Sequence, residues 1–457
     1  MKVVFGVIII IFFLSPLAWC EENSIKLTLS KSIEQAIKGN LDLKIAEAQF
    51  QRMETEVAKN EASFRLKTNL EVAPANWEGK IDNFNYKPEA NLNANLLTKN
   101  GTTYSFNVKE GEKDEGLKTT LFSLSLTQKI LPHPRFNSSY LFLKESVLNL
   151  RKNELSLEEE KNSLKLEVRT SFYNILKQER EIELEKLHLE KLKEDLTVVE
   201  EKLKKGLANK LDLLNAQLDV AGAEKTLFQN ENRLKRYLTE FKNLLGIGSY
   251  TKVELIQEPK YNYEPLKVKL NRAIEEALKN RVEIKQQKLT IQASQLDLNL
   301  TKSKSSPSLN LSGGYNYSYG SEFPQQGREE YKVSLIFEIP LLDGGESKAE
   351  IQEAEEKLRE SELNLEKLKR DIATEVQNYF LDLWEKEKQI DFFKLSKEKY
   401  KKDLSIAQKM FSSGAITKDE LREKEIAFKQ AQINLLNALL DYELAKSKLL
   451  KSIGKEL

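Results

Sequence analysis

The chain has 457 residues, with 72 basic and 71 acidic side chains, two histidines and a single cysteine. Such a balance excludes a bulk field that would recruit nucleic acid or an anionic membrane surface, and one cysteine cannot build a disulfide framework. Ten prolines and 18 glycines are too few for a disordered chain of this length.

The elements follow in chain order. Met1-Lys2 and the apolar stretch Val3 to Ala18 predict a secretory signal over residues 1–20. Ala18-Trp19-Cys20 offers small residues at the first and third positions before a cut at Glu21. Two alternatives stay open: a membrane anchor, against which the apolar run is short, and a lipid-accepting Cys20, against which Trp19 is bulky. If Cys20 leaves with the signal, the mature chain has no thiol. No later segment holds the ~18 apolar residues of a transmembrane helix.

Strand-like alternation comes next. Leu66, Thr68, Leu70 and Val72 oppose Lys67, Asn69 and Glu71. Leu92, Ala94 and Leu96 alternate with Asn91, Asn93 and Asn95, and Tyr104, Phe106 and Val108 with Ser105, Asn107 and Lys109. Lys99-Asn100-Gly101 between them is a hairpin signal. Thr120, Phe122, Leu124 and Leu126 form a further face. Period-two alternation of this kind marks strands with one greasy and one wet side.

Sevenfold apolar rows follow. Val168, Ile175, Ile182, Leu189, Leu196 and Leu203 are broken at Gly206, and Leu213, Val220, Leu227, Leu234 and Phe241 continue them. The spacing predicts helices packed as left-handed coiled coils. One helix runs from about Ser139 to Lys205 and bends back at Lys205-Gly206, with Asn209 able to cap its successor.

The second half repeats the first. Glu167-Val168-Arg169-Thr170-Ser171-Phe172 lies over Glu375-Val376-Gln377-Asn378-Tyr379-Phe380, an offset of 208, and Leu245-Gly246 lies over Ile453-Gly454 at the same offset. Leu29 to Lys38 matches Leu270 to Lys279 at an offset of 241. Strands recur as Leu309, Leu311, Tyr315, Tyr317 and Tyr319, then Tyr331, Val333, Leu335, Phe337 and Ile339, with Ile336 out of place on the polar side. A second long helix, from about Ser347 to Ser413, carries Val376, Leu383, Ile390, Lys397, Leu404 and Phe411. It turns at Ser413-Gly414, where Thr417 can cap the next helix, and Leu421, Phe428, Leu435, Tyr442 and Leu449 complete the pattern. Only the segment around Lys99-Asn100-Gly101 lacks a second copy, and it predicts an additional hairpin or an extension of the flanking strands. The expected layout is a signal over 1–20, a first repeat over 21–248 turning near 206, a linker over 249–264, and a second repeat over 265–457 turning near 414.

An exported chain without a membrane helix can still cross a bilayer as a closed β-barrel. Four to six strands are too few to close one, since the smallest have ~8. An open edge in lipid is forbidden, so several copies must pool their strands. The fold class expected is mostly α with β: duplicated helical hairpins plus strands given to a shared transmembrane barrel.

The duplicated helix–strand–strand–helix order resembles the TolC-like outer-membrane efflux proteins over nearly the whole mature chain. Ala277-Leu278-Lys279-Asn280-Arg281-Val282-Glu283-Ile284 is similar to the family's AL-x-NRPE-[LI] segment, with Val282 replacing its proline. Leu124 to Leu131 is similar to its strand-ending LSLTQPLL, with Lys129 for proline, and Phe337 to Gly345 keeps the proline and glycines. Gly206 to Asp212 and Gly414 to Glu420 match its hairpin turns.

The resemblance implies a homotrimer whose barrel lies in outer-membrane lipid and whose helical tunnel crosses the periplasm to an adaptor protein and an inner-membrane pump. Glu420 and Glu423 take the places of two acidic constriction residues, with Asp212 and Asn215 equivalent in the first copy. Gathered by threefold symmetry, such carboxylates would attract cations and raise some of their own pKa values by repulsion. The same two glutamates also fit a plain solvated helix face. Phe411 falls where the family has a gate tyrosine, and Ile416 where it has an arginine, which implies a weakened polar lock. The turns Gly206-Leu207-Ala208 and Gly414-Ala415-Ile416 are the implied adaptor contacts, and as sequence they are also helix stops.

Catalytic, cofactor and metal roles are not expected. His133 and His188 lie far apart, whereas metal sites need clustered ligands, and no nucleophile motif or phosphate loop occurs. Lysines interleaved with glutamates make no nucleic-acid footprint. The function expected is an exit duct of a tripartite efflux or type I secretion system. The alternative is a periplasmic or surface coiled-coil scaffold or adhesion protein.

Overall fold

A computed structural model describes residues 24–74, 77–80, 83–86, 88–113, 117–132, 137–256, 263–321 and 327–455. The expected signal with Cys20, and His133, lie outside the described residues. In chain order the elements are β1 (Ser24–Leu27), α1 (Leu29–Gly39), α2 (Leu41–Glu61), β2 (Lys67–Ala73), β3 (Trp77–Lys80), β4 (Asn83–Tyr86), β5 (Glu89–Leu97), β6 (Thr102–Lys113) and β7 (Leu117–Leu131). Then come α3 (Ser138–Lys204), α4 (Lys210–Leu245), β8 (Lys252–Leu255), α5 (Leu270–Asn280), α6 (Val282–Lys304), β9 (Ser308–Gly320), β10 (Arg328–Glu338), α7 (Glu346–Ser412) and α8 (Lys418–Ser452). The helices α3 and α7 have 67 residues each. None of the described helices is long and apolar enough to cross a membrane.

Contacts divide the chain into two compact units, and each draws on both sequence halves. One takes the chain through Leu41, Leu164–Glu264 and Lys386–Leu444; the other takes Asp42–Ser163, Pro265–Glu385 and Ala445–Leu457.

In the first unit the heptad rows form the core. Val168, Ile175, Ile182 and Leu189 of α3 are buried, as are Phe241 and Leu245 of α4. The Phe172 and Phe241 rings meet edge to face at 6.3 Å. Further along, Leu189, Val220 and Ala223 form a cluster against which Leu192, Leu196 and Leu227 pack. Tyr442 of α8 is fully buried, and its hydroxyl donates to the Glu264 carbonyl at 2.9 Å. The segment expected as a linker is partly ordered: β8 pairs in parallel with β1, Ser24 opposite Lys252. Sequence patterning missed this pair because strands of four residues are too short to show a period.

The repeat is visible in two matching junctions, one per unit. Between α1 and α2, Asn40 breaks the helix with ψ 129°, and its side-chain amide donates to the Leu244 carbonyl at 3.0 Å. Between α5 and α6, Arg281 breaks it with ψ 131°, and its guanidinium donates to the Ser452 carbonyl at 3.2 Å. Leu244 and Ser452 are 208 positions apart. Val282 therefore leaves the bend intact without proline, because Arg281 anchors it by reaching Glu283 at 2.7 Å and Glu375 at 3.0 Å. Gly246 and Gly454 end α4 and α8 with positive φ. A Cβ on Gly246 would lie 2.1 Å from the Gly39 carbonyl oxygen, so only glycine permits the close approach there.

The second unit holds a six-stranded antiparallel sheet of order β10-β9-β7-β6-β5-β2. The expected Asn-Gly hairpin is β5–β6, and it lies in the plane of the sheet. β3 and β4 form a separate short hairpin that patterning did not reveal. Asp343 starts α7: its carboxylate accepts from the Gly345 and Ser347 backbone N–H groups, both at 3.0 Å.

Candidate functional site

The sheet has two chemically distinct faces, and its register carries both across every strand. One row runs Glu330, Asn316, Ser123, Asn107, Asn93, Asn69. Beside it, on the opposite face, runs Tyr331, Tyr315, Leu124, Phe106, Ala94, Thr68. The wet face is knitted by amides: Asn107 donates to Asn91 and Asn93. Lys109 reaches Glu89 at 3.0 Å. The other face leaves Tyr331, Leu335 and Phe337 of β10, Phe106 of β6 and Leu124 of β7 exposed. Aromatic pairs tie this face together, Tyr315 with Tyr331 at 5.0 Å and Phe122 with Tyr317 at 6.4 Å. A sheet with one face of amides and hydroxyls and one of exposed aromatics is made to separate water from an apolar medium.

The two helical turns have the same construction. Gly206 and Gly414 both have φ 75°. Gly206 N–H bonds the Leu203 carbonyl at 3.0 Å and Leu207 N–H the Lys202 carbonyl at 2.8 Å. Gly414 and Ala415 repeat this with Phe411 and Met410 at 3.0 and 2.8 Å. This pairing closes the last carbonyls of a helix around a left-handed residue. A Cβ on either glycine would meet nothing within 4 Å, so conformation alone selects glycine. Leu207 is exposed, as are Ala415 and Phe411, while Ala208 and Ile416 are half-buried.

The carboxylates singled out from sequence have partners within the chain. Asp212 closes a capping box with Asn209: Asn209 accepts from Leu211 and Asp212 N–H groups, and Asp212 accepts from Asn209 N–H, all within 2.8–2.9 Å. Glu420 does the same with Thr417, accepting from its backbone N–H at 2.7 Å and its hydroxyl at 3.1 Å. The Thr417 backbone N–H, then its hydroxyl, hold the Glu420 carboxyl below the ordinary glutamate value. A rise by mutual repulsion would need carboxylates of neighbouring copies. Asn215 is exposed.

Glu423 faces α3. Lys191, whose side chain is 17% exposed, donates to it at 3.0 Å and lies 3.4 Å from Asp195. Burial pushes the Lys191 ammonium down, but the Glu423 hydrogen bond and the Asp195 charge outweigh it and hold its pKa above the ordinary lysine value. One residue earlier, Arg422 reaches Glu190 at 2.8 Å and Glu194 at 2.9 Å. Lys429 bonds Glu183 at 2.7 Å, and Lys177 bonds Asp441. These pairs form a ladder between α3 and α8. Patterning did not reveal it, because Lys191 and Arg422 sit among dozens of similar charges. Only their lack of exposure separates them.

His188 is exposed on α3. Among the described residues, no group of three histidine, cysteine, aspartate or glutamate side chains is arranged to hold a metal ion.

Comparison with known proteins covers nearly the whole chain. The family described as outer membrane efflux protein matches residues 32–247 and 273–455. The outer membrane protein TolC of Vibrio cholerae is 21% identical over 322 residues, which are 69% of this chain and 73% of that protein. Among solved structures, the CmeC outer membrane channel of Campylobacter jejuni superimposes with a TM-score of 0.69 at 15% identity, covering 99% of this chain and 93% of that one. The outer membrane protein VceC of Vibrio cholerae gives 0.66 at 14% identity, covering 94% and 96%.

Proposed function

The chain belongs to the outer membrane efflux protein family, and from this we propose that three copies form the exit duct of a tripartite efflux or type I secretion system. It is an outer-membrane channel protein, and its helical hairpins are the part that would cross the periplasm. The observation that supports assembly from several copies is the two-faced sheet, whose greasy side is exposed and whose edges have no partner strand among the described residues; the number three comes from the family likeness. Exposed apolar side chains on the helices support assembly too: Leu211, Leu214 and Leu218 on α4, continuing from Leu207 in the turn, and Trp384, Phe392, Leu395 and Ile406 on α7. A coiled-coil scaffold has no use for such a sheet.

The turns Gly206-Leu207-Ala208 and Gly414-Ala415-Ile416 are rigidly closed and accessible, which suits them to a periplasmic adaptor protein bound to an inner-membrane pump. Glu420 and Glu423, with Asp212 and Asn215 in the other hairpin and Phe411 beside the turn, would form the constriction. In that case Arg422 and Lys191 hold the gate helix α8 to α3 in place of the lock that Ile416 lacks.

Planar-bilayer recording of the detergent-extracted protein tests the function. Stepwise conductance from a trimer is expected, and absence of any ion-conducting species would overturn the channel reading. Joint Glu420→Gln and Glu423→Gln replacement should lower cation preference. Unchanged selectivity would leave both as structural side chains of the turn and the ladder.

A further inference from the structure

The strand count has a consequence for the width of the wall. The six strands alternate in direction without exception, so β10 and β2, the two edges, run opposite ways. Rotation about an axis normal to the membrane keeps strand direction. A second copy placed by such a rotation brings its β10 antiparallel to β2 of the first, and an odd number of strands would not allow this.

The faces agree. Wet and greasy rows pass through β5 and β6 without interruption, so this hairpin is wall and not a flap laid over it. Charge agrees as well. In the three wet rows that all six strands share, β2 carries Lys67 and Glu71 while β10 carries Arg328, Glu330 and Lys332. The four strands between them carry one charge in those rows, Lys109, already paired with Glu89. Both edges therefore present both signs, so opposite charges can pair across a seam between copies.

We propose that β2 of one chain pairs with β10 of a second copy of the same chain, and that β5–β6 is a width-setting insert in the shared barrel. Resting on the trimeric reading above, three chains of six strands give eighteen. Barrels of about 16–18 strands enclose an aqueous channel, and diameter grows roughly linearly with strand number. Without β5–β6, β7 and β2 would meet antiparallel and close a barrel of two-thirds the diameter, with less than half the cross-section.

Cysteine pairs in the full-length, membrane-inserted protein test this, because Cys20 is the only natural cysteine. Registered antiparallel neighbours sit ~4.5–5.5 Å apart at Cα, within disulfide reach. Asn69→Cys with Asn93→Cys, and Asn107→Cys with Ser123→Cys, should each close within one chain on oxidation. Asn69→Cys paired with Glu330→Cys, or with a β10 site two residues to either side, should link chain to chain. Closure of Asn69→Cys with Ser123→Cys would overturn the proposal, since it puts the hairpin outside the wall. So would the lack of any β2–β10 link between chains. Deleting residues 89–113 should shrink the barrel seen by electron microscopy to about two-thirds of its diameter, and an unchanged diameter would overturn the proposal. Native mass spectrometry reads the copy number separately: a number other than three defeats the trimeric reading while the cysteine pairs still report six strands per chain.

Discussion

At the scale of single residues, the turns combine two requirements in few side chains. Glu420 is both a candidate constriction charge and the closing member of a capping box with Thr417. Its carboxyl is held below the ordinary value, so the folded pKa is depressed and its contribution is present above the unfolded pKa of about 4.5. That contribution is lost as pH falls through the folded pKa. Once the intrinsic rates at each pH are divided out, amide protection around residues 413–420 should therefore fall below pH 4 relative to pH 6, and Glu420→Gln should flatten that dependence. Equal protection at both pH values would mean that the cap does not hold the turn. At the matching turn, Asn209→Ala should cost about 1 kcal/mol of local stability, read as faster exchange at Leu211 and Asp212. The capping positions were legible in sequence because glycine, then Asn or Thr, then a carboxylate three residues on is a local pattern. The ion pairs of Lys191 and Arg422 were not, because their partners Glu423, Glu190 and Glu194 lie more than two hundred positions away. Nothing local distinguishes those charges.

At the scale of elements, the duplication prescribes geometry and leaves chemistry free. Asn40 and Arg281 break their helices at the same place and cap the same carbonyl position, yet one is a neutral amide and the other an ion-paired guanidinium. Asn40→Ala should cost roughly 1–2 kcal/mol, the value of one lost hydrogen bond to a partly buried carbonyl. Arg281→Ala should cost more, about 3 kcal/mol, because it strands Glu283 and Glu375 together without their cation. Urea unfolding of the detergent-solubilised protein measures both, and equal losses would show that the ion pairs add nothing beyond the carbonyl bond. The long helices were predicted to within a residue at each end, since heptad rows and glycine stops are strong signals. The sheet's strands were predicted from alternation. Their order was not, because period-two patterning says which side chains share a face and nothing about which strand lies next.

At the scale of the whole molecule, the exposed apolar rows call for self-association. Leu211→Glu with Leu218→Glu should lower the trimer population in native mass spectra by at least tenfold. Far-ultraviolet dichroism should stay unchanged, because both side chains are largely exposed in the single chain. Retained trimer would assign that row to another partner. The register of the sheet also sets an order of events. The pair that joins its two sequence halves is β7 with β9, Phe122 against Tyr317, across α3, α4, β8, α5 and α6. Closing so long a loop is slow, whereas the α3–α4 hairpin forms from neighbours in sequence. A chain emerging amino terminus first can thus raise its helices early but cannot finish its sheet until residues near 338 have followed. Until β9 arrives, β7 presents an open edge, the state most prone to pairing with the wrong strand. Export and assembly are bound to one clock, and the last hairpin to arrive sets it.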